Sequence, residues 1–416
     1  ALEGIATTYR FIGWDKQTTN ILVPTTFTAI YEENAIKYYE CKFVNYDGTL
    51  LYSTVVLPNN GASYKGNAPF HEFRTNGKNE DGTTNVTSYK FKGWDKDLTG
   101  ITAPTTFTAT YVEDETYSGY RVEFRNKDGS EIYHTYTKKG GNAVCRYEQF
   151  KDLISSSYSY DSENVTMFAG WKEPTSDIRS DSIFTPNIVT IPRKQNGEYP
   201  QTKVTDEELV TKLDSITQTD AQGYVSYGRE KYQKKQNAWS GTWLKVEPIQ
   251  WRYLSRDGKN VQFVSEKVLD DHVWNTTDHG DEAYLNNYKL SDIRKWLNSD
   301  FLEQAFYYDS SLVQTVNVDN SVESTGITYN QYACEDTQDK VYLLSYKDIN
   351  DEDYGFTDNA SRIAYNADGN ANWYWLRSPN RNDGSARFVY NDGYVSSTDY
   401  VYNSIGVRPA LTRKLD

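Results

Sequence analysis

Apolar and polar residues alternate along much of the first half of the chain. Cys41-Lys42-Phe43-Val44 and Arg121-Val122-Glu123-Phe124 each put every second side chain on one face, the pattern of a half-buried strand. Each run is followed by Asp-Gly, at Asp47-Gly48 and Asp128-Gly129, and then by a second β-rich run, which predicts a hairpin. Elsewhere the period lengthens. Phe150 and Ile154 lie four apart and predict a short helix over 147–154. Leu209, Leu213 and Ile216 predict a helix over 206–216, with Thr205 and Glu208 as its capping box. Ser291 is placed to cap a third, lined by Ile293, Trp296, Leu297 and Phe301 and extended over 302–306. Short strands are expected at 246–254, 261–265, 341–345, 374–377, 387–390 and 394–397, the last two joined at Asn391-Asp392-Gly393. The class this implies is α+β and β-rich.

The first 194 residues also repeat themselves. Phe11-Ile12-Gly13-Trp14-Asp15-Lys16 returns as Phe91-Lys92-Gly93-Trp94-Asp95-Lys96, and Pro24-Thr25-Thr26-Phe27-Thr28-Ala29 returns as Pro104-Thr105-Thr106-Phe107-Thr108-Ala109. Phe168-Ala169-Gly170-Trp171, preceded by Arg121 to Gly129, belongs to a looser third copy, in which Glu173-Pro174 stands in place of Asp-Lys and leaves the closing register open. The first copy has no Asp-Gly opening, and half a repeat cannot close its own core, so residues 1–33 read as the tail of a truncated unit. Residues 34–115 and 116–194 read as whole ones. The pattern resembles the Listeria–Bacteroides repeats, related to internalin B-repeats, which implies tandem ubiquitin-like β-grasp units in a bacterial surface protein. The three tryptophans are expected to fill the core of their own units rather than to form an exposed ligand ladder.

From Gly197-Glu198-Tyr199-Pro200-Gln201-Thr202 onward the repeats stop, and the polar stretch 192–197 reads as a linker. Val246-Glu247-Pro248-Ile249-Gln250-Trp251-Arg252, Trp375-Leu376-Arg377-Ser378-Pro379 and Gly406-Val407-Arg408-Pro409-Ala410-Leu411 are among the blocks that resemble an uncharacterised surface-protein module of gut Firmicutes over 195–416. The end of that module is distantly similar to the C-type-lectin-like fold shared with formylglycine-generating enzymes. The resemblance implies a C-terminal C-type-lectin-like α+β binding domain, carried by the repeats and joined to the remainder of the same polypeptide upstream.

Composition narrows the partners. Tyr 36 and Trp 10 indicate folded modules rather than a disordered chain. The net charge of -14 would repel a phosphate backbone, so no nucleic-acid partner is expected. No run reaches ~18 apolar residues, so the chain is not expected to be membrane-embedded. Cys41, Cys145 and Cys334 form no paired motif, and the histidines no metal-ligand spacing. Cys334, beside Glu335, reads as an inert thiol rather than a nucleophile. His272 and His279, with Asp270, Asp271, Asp278 and Asp281, read as a solvated loop rather than a cation site, and Asp348–Asp353 lacks the turn glycine of a calcium loop. Ser378-Pro379-Asn380 and Arg381-Asn382-Asp383 lack the carboxylate and the Trp of calcium-dependent sugar motifs. Arg377 and Arg408 read as structural guanidinium groups rather than carboxylate grips.

What remains is a tyrosine-rich surface. Tyr, Ser, Asn and Gly combine rigid contact area with adaptable hydrogen bonding, and rings beside acids suit sugar hydroxyls. This marks Asn380, Asp383, Tyr390, Asp392, Tyr394, Tyr400 and Tyr402 as candidate ligand-binding residues, with no catalytic residue, metal or cofactor expected. The reading is an extracellular, adhesin-like protein, not an enzyme, whose partner is a glycan or a host or bacterial surface protein. A purely structural spacer is the alternative, and a formylglycine-generating-type enzyme stands third.

Overall fold

The structure, a computed structural model, describes residues 3–19, 21, 24–66, 68–236, 241–278, 280 and 283–415. The chain divides into two compact units, residues 1–76 with 85–117, and residues 77–84 with 118–416. The first is built of strands, with no helix among its described residues, and the second is β-rich with short helices.

In the first unit, Glu3–Trp14 runs antiparallel to Ala29–Val44, and Leu50–Val56 pairs antiparallel with the far end of that strand. Cys41 to Val44 also lie parallel to Thr105 to Thr108. The alternation read from the sequence decides the faces: Cys41 and Phe43 are fully buried while Lys42 keeps partial exposure. Asp47 fixes the hairpin turn by accepting from the Thr49 amide at 2.9 Å. Phe43 is the centre of the core. It stacks on Phe107 at 4.9 Å and meets Trp94 edge-on at 4.8 Å, with Cys41, Ala62 and Ile101 around them. The first copy is different, because nothing in residues 1–33 corresponds to Phe43. Trp14 touches Phe11 and Phe27 but is 50% exposed, so the expectation that each repeat tryptophan fills a core fails there.

The second unit opens with the same geometry. The end of the strand Thr105–Arg125 pairs antiparallel with Glu131–Lys138 and parallel with Ser182–Phe184. Phe124 stacks on Phe184 at 4.9 Å and lies 4.9 Å from Trp171, reproducing the Phe43, Phe107 and Trp94 arrangement. The helix Tyr147–Ser157 buries Phe150, Leu153 and Ile154, as its period predicts. The register left open by Glu173-Pro174 is kept. The Asp95 carboxylate accepts from the Thr108 amide at 2.6 Å, and Glu173, one residue later in its copy, accepts from the Thr185 amide at the same 2.6 Å. The backbone bond beneath is 2.9 Å in both copies, Asp95 to Thr108 and Lys172 to Thr185.

The stretch 192–197 is packed rather than linker-like. Arg193–Gln195 form a short 3-10 turn, and Asn196 is wholly buried. Asn196 donates to the Ile249 carbonyl at 2.8 Å and accepts from the Trp251 indole at 3.0 Å and from Arg413. One continuous core runs from Phe124, Phe168 and Trp171 through Trp251, Tyr253 and Phe263 to Trp274, Trp375 and Leu411.

Beyond it, Glu198–Lys203, Gly241–Pro248, Glu230–Gln236 and Val225–Tyr227 form one sheet in that order. A second has the order Trp251–Asp257, Asn260–Ser265, Ala410–Lys414 and Val341–Tyr342. A third has the order Asp270–Val273, Ser404–Val407, Tyr374–Pro379, Ser385–Val389 and Val395–Tyr400. The strand expected over 246–254 is therefore two, broken at Ile249 and Gln250, and that expected over 341–345 ends at Tyr342. Ser345 caps the helix Tyr346–Ile349 instead. Helix Glu207–Asp214 is capped by Asp206, whose carboxylate accepts from the Glu208 and Leu209 amides, rather than by Thr205. Ser291 caps Asp292–Trp296 as expected, and a π-helical turn at Leu297–Phe301 joins it to Leu302–Ala305.

Candidate ligand-binding surfaces

The short strands Ser385–Val389 and Val395–Tyr400, the latter at the edge of its sheet, and the turns beside them present the predicted tyrosines. Tyr390 follows Ser385–Val389, and its amide donates to the Tyr394 carbonyl at 2.9 Å across the turn. Gly393 takes φ 80° there, which its lack of a Cβ permits, and Asp392 accepts from the Tyr394 amide at 3.1 Å. Tyr390 is half-buried, 5.0 Å from Trp373 and 6.2 Å from Tyr394. Tyr394 stands 58% exposed. Tyr400 and Tyr402 form a separate exposed pair, stacked at 5.3 Å with 10° between the ring planes. The structure thus joins Tyr390 with Tyr394, and Tyr400 with Tyr402. Asp383 is exposed but serves the fold, accepting from the Leu285 amide at 2.8 Å. Asn380 is buried, its amide bonded to the Ser385 carbonyl, so it presents no open surface to a ligand.

Sequence reasoning missed a concavity that forms where the third repeat meets the terminal module. It encloses about 410 Å³, and its lining includes the edges of the largely buried rings of Trp171, Phe150 and Tyr253. Asn142, Ser255, Asp257, Asp351, Asp353 and Tyr354 are among its walls. Asn142 donates to Asp353 at 2.8 Å and Asp351 accepts from the Asp353 amide at 2.9 Å. Burial, then the backbone bond and the neighbouring carboxylates of Asp353 and Asp348, act on Asp351, and the balance moves its carboxyl upward from the ordinary range. A second hollow of about 350 Å³ shares Trp171, Tyr253 and Arg256 with it and continues toward Asn187. No sequence signal marks this place, because its residues come from four separate stretches joined only by the packing of one core.

The other candidates resolve into structural duties. Arg377 donates to Asp348 at 2.6 Å and to the Leu343 and Asp319 carbonyls. Arg408 donates to the Ser265 carbonyl at 2.7 Å. Burial pushes the Cys334 thiol up, while Glu335 pairs with Lys289 instead. His272 stacks on Trp296 at 4.8 Å, and Asp270 accepts from Tyr199 and pairs with Lys235. His279 and Asp281 lie outside the described residues. Among the described residues, no three His, Cys, Asp or Glu converge as a metal site, and no helix is long and apolar enough to cross a membrane.

Residues 259–415 match the profile of a family described as Domain of unknown function (DUF6273), which covers less than half of the chain. No curated protein matches. Among solved structures, streptococcal SHIRT domains 3-4 from a cell surface protein align with 37% of this chain and 99% of theirs, at 16% identity and a TM-score of 0.13. A superposition that loose carries no argument about fold or role.

Proposed function

We propose that this chain is a non-enzymatic recognition part of a bacterial surface protein. In this reading β-grasp repeats form the stalk and a C-type-lectin-like module forms the head, and a neutral glycan binds in the concavity where the last repeat meets the head, beside Trp171 and Tyr253. One observation carries the reading: a hollow of about 410 Å³ is lined by aromatic side chains together with amide, hydroxyl and carboxylate groups. Such a volume suits a small ligand. Asn142, Ser255, Asp257 and Asp353 supply acceptors and donors for sugar hydroxyls, and the apolar edges of the rings beneath them meet its C–H groups. The up-shifted thiols of buried Cys145 and partly buried Cys334 favour recognition over thiol chemistry.

A glycan array probed with the whole chain tests this. Neutral oligosaccharide hits should weaken at least tenfold in Asp257→Asn/Asp353→Asn, with an unchanged melting temperature. A silent array, or hits indifferent to both carboxylates, overturns it. The exposed Tyr400–Tyr402 stack supports a second reading, in which the hairpin carries the contact. Under that reading the hits respond to Tyr394→Ala and Tyr402→Ala instead.

A further inference from the structure

Arg252, Arg377, Arg387, Arg408 and Arg413 are the arginines buried in the described part of the second unit. A buried guanidinium without an acceptor is costly, and four of the five have oxygen acceptors. Arg252 pairs with Glu266, Arg377 with Asp348, Arg408 with the Ser265 carbonyl and Arg413 with Asn196. Arg387 does not. It is only 9% exposed, yet among the described residues it has no hydrogen bond and no ion pair. Its guanidinium lies over the Tyr346 ring, 4.1 Å from the centroid. Its Nε is buried without a partner, whereas the terminal nitrogens reach the surface.

The surroundings are built for a cation that awaits an acceptor. Tyr346 is pinned as a platform. Its amide donates to Ser378 Oγ at 2.8 Å, and its ring fills the space that a Cβ on Gly326 would occupy, 2.1 Å from Cδ1. Acids on the adjoining elements are engaged elsewhere: Asp348 by Arg377, Asp383 by the Leu285 amide and Asp392 by the Tyr394 amide. Arg381, exposed and also free of ion pairs among the described residues, adds a second positive charge in electrostatic range. Burial and Arg381 together disfavour the charged form of Arg387, a penalty that an incoming anion would relieve.

We propose that Arg387, seated on Tyr346 and assisted by Arg381, binds the carboxylate of an acidic sugar. The planar fork of a guanidinium matches a carboxylate with two parallel bonds. One carboxylate on an otherwise neutral sugar also escapes the repulsion that a chain of net charge -14 exerts on polyacidic partners. The site shares no residue with the concavity over Trp171 and does not depend on that reading.

Ligand-observed NMR and calorimetry on the whole chain, with glucuronic acid and N-acetylneuraminic acid as probes and their methyl esters as controls, test the assignment. The free acids should bind and the esters fail. Arg387→Gln should lose at least tenfold in affinity, and Arg381→Gln about two- to fivefold. Asp257→Asn/Asp353→Asn should leave acid binding intact, which separates this site from the concavity. Equal binding of acid and ester overturns the proposal, as does an unchanged affinity in a folded Arg387→Gln, or binding confined to acidic peptides. If Arg387→Gln does not fold, the acid-to-ester contrast and the Arg381→Gln response decide the matter.

Discussion

The second and third repeats share one internal geometry and differ in what lies outside it. Phe43, Phe107 and Trp94 in one correspond to Phe124, Phe184 and Trp171 in the other, with ring separations that agree closely. Yet Trp94 remains half-buried while Trp171 is 4% exposed. Tyr253 lies 5.7 Å from Phe168 and covers Gly170. The same motif therefore yields a self-contained core in one place and half of a larger core in the other. What surrounds a repeat, rather than the repeat itself, sets how much each residue contributes to stability.

The tryptophans give the largest test of that difference. Trp171→Ala should cost about 3–5 kcal/mol in denaturant melts, whereas Trp94→Ala, only partly withdrawn from water, should cost about 1–2 kcal/mol. Equal losses would mean that the two cores are equally closed. The glycines just before them sharpen the point. Gly93 and Gly170 both have positive φ, 144° and 93°. A Cβ at Gly93 meets nothing, while one at Gly170 would sit 2.3 Å from the Tyr253 ring. Gly93→Ala should cost about 1 kcal/mol of backbone strain and Gly170→Ala about 2–4 kcal/mol, measured the same way.

A smaller effect reads the packing of the third repeat through pH. Burial pushes the Tyr147 phenol up to about 12. Between pH 10 and 12 the unfolded chain releases that proton and the folded chain keeps it, so stability present below pH 10 is lost as pH rises through about 12. Tyr147 also stacks under Arg252, 3.5 Å from its centroid. Tyr147→Phe keeps the ring and should flatten the fall in melting temperature across that interval. An unaltered slope would show that other groups govern it. The smallest effect concerns the hairpin: Tyr394→Ala, at a 58% exposed position, should leave stability within ~0.5 kcal/mol.

The local patterns were legible in the sequence. Alternation at Cys41 to Val44 and at Arg121 to Phe124 marks the paired strands, Asp-Gly marks both hairpin turns, and Ser291 marks a helix start. What was not legible depends on contacts between distant stretches. Asp206 outcompetes Thr205 as a cap because its carboxylate reaches two amides. Asn196 looks polar and linker-like, but its amide and carbonyl serve Ile249, Trp251 and Arg413. Of the candidate site, the exposed tyrosines could be picked by composition, whereas buried Asn380, the concavity over Trp171 and unpartnered Arg387 could not. Each is defined by which distant residue does or does not face it.

The strand Ala410–Lys414 lies between Asn260–Ser265 and Val341–Tyr342, so its place in the middle of a sheet sets a timetable for synthesis. The first unit has every strand it needs once residue 117 has been made. The second unit cannot join its neighbouring strands until residues 410–414 have left the ribosome, because no earlier segment holds that central position. While residues 118–409 are made, a nascent chain therefore carries a finished repeat ahead of an unfinished module. During that interval Phe263, Val264 and Val341, all buried at the end, are apolar surface without its final partners, the kind on which nascent chains aggregate.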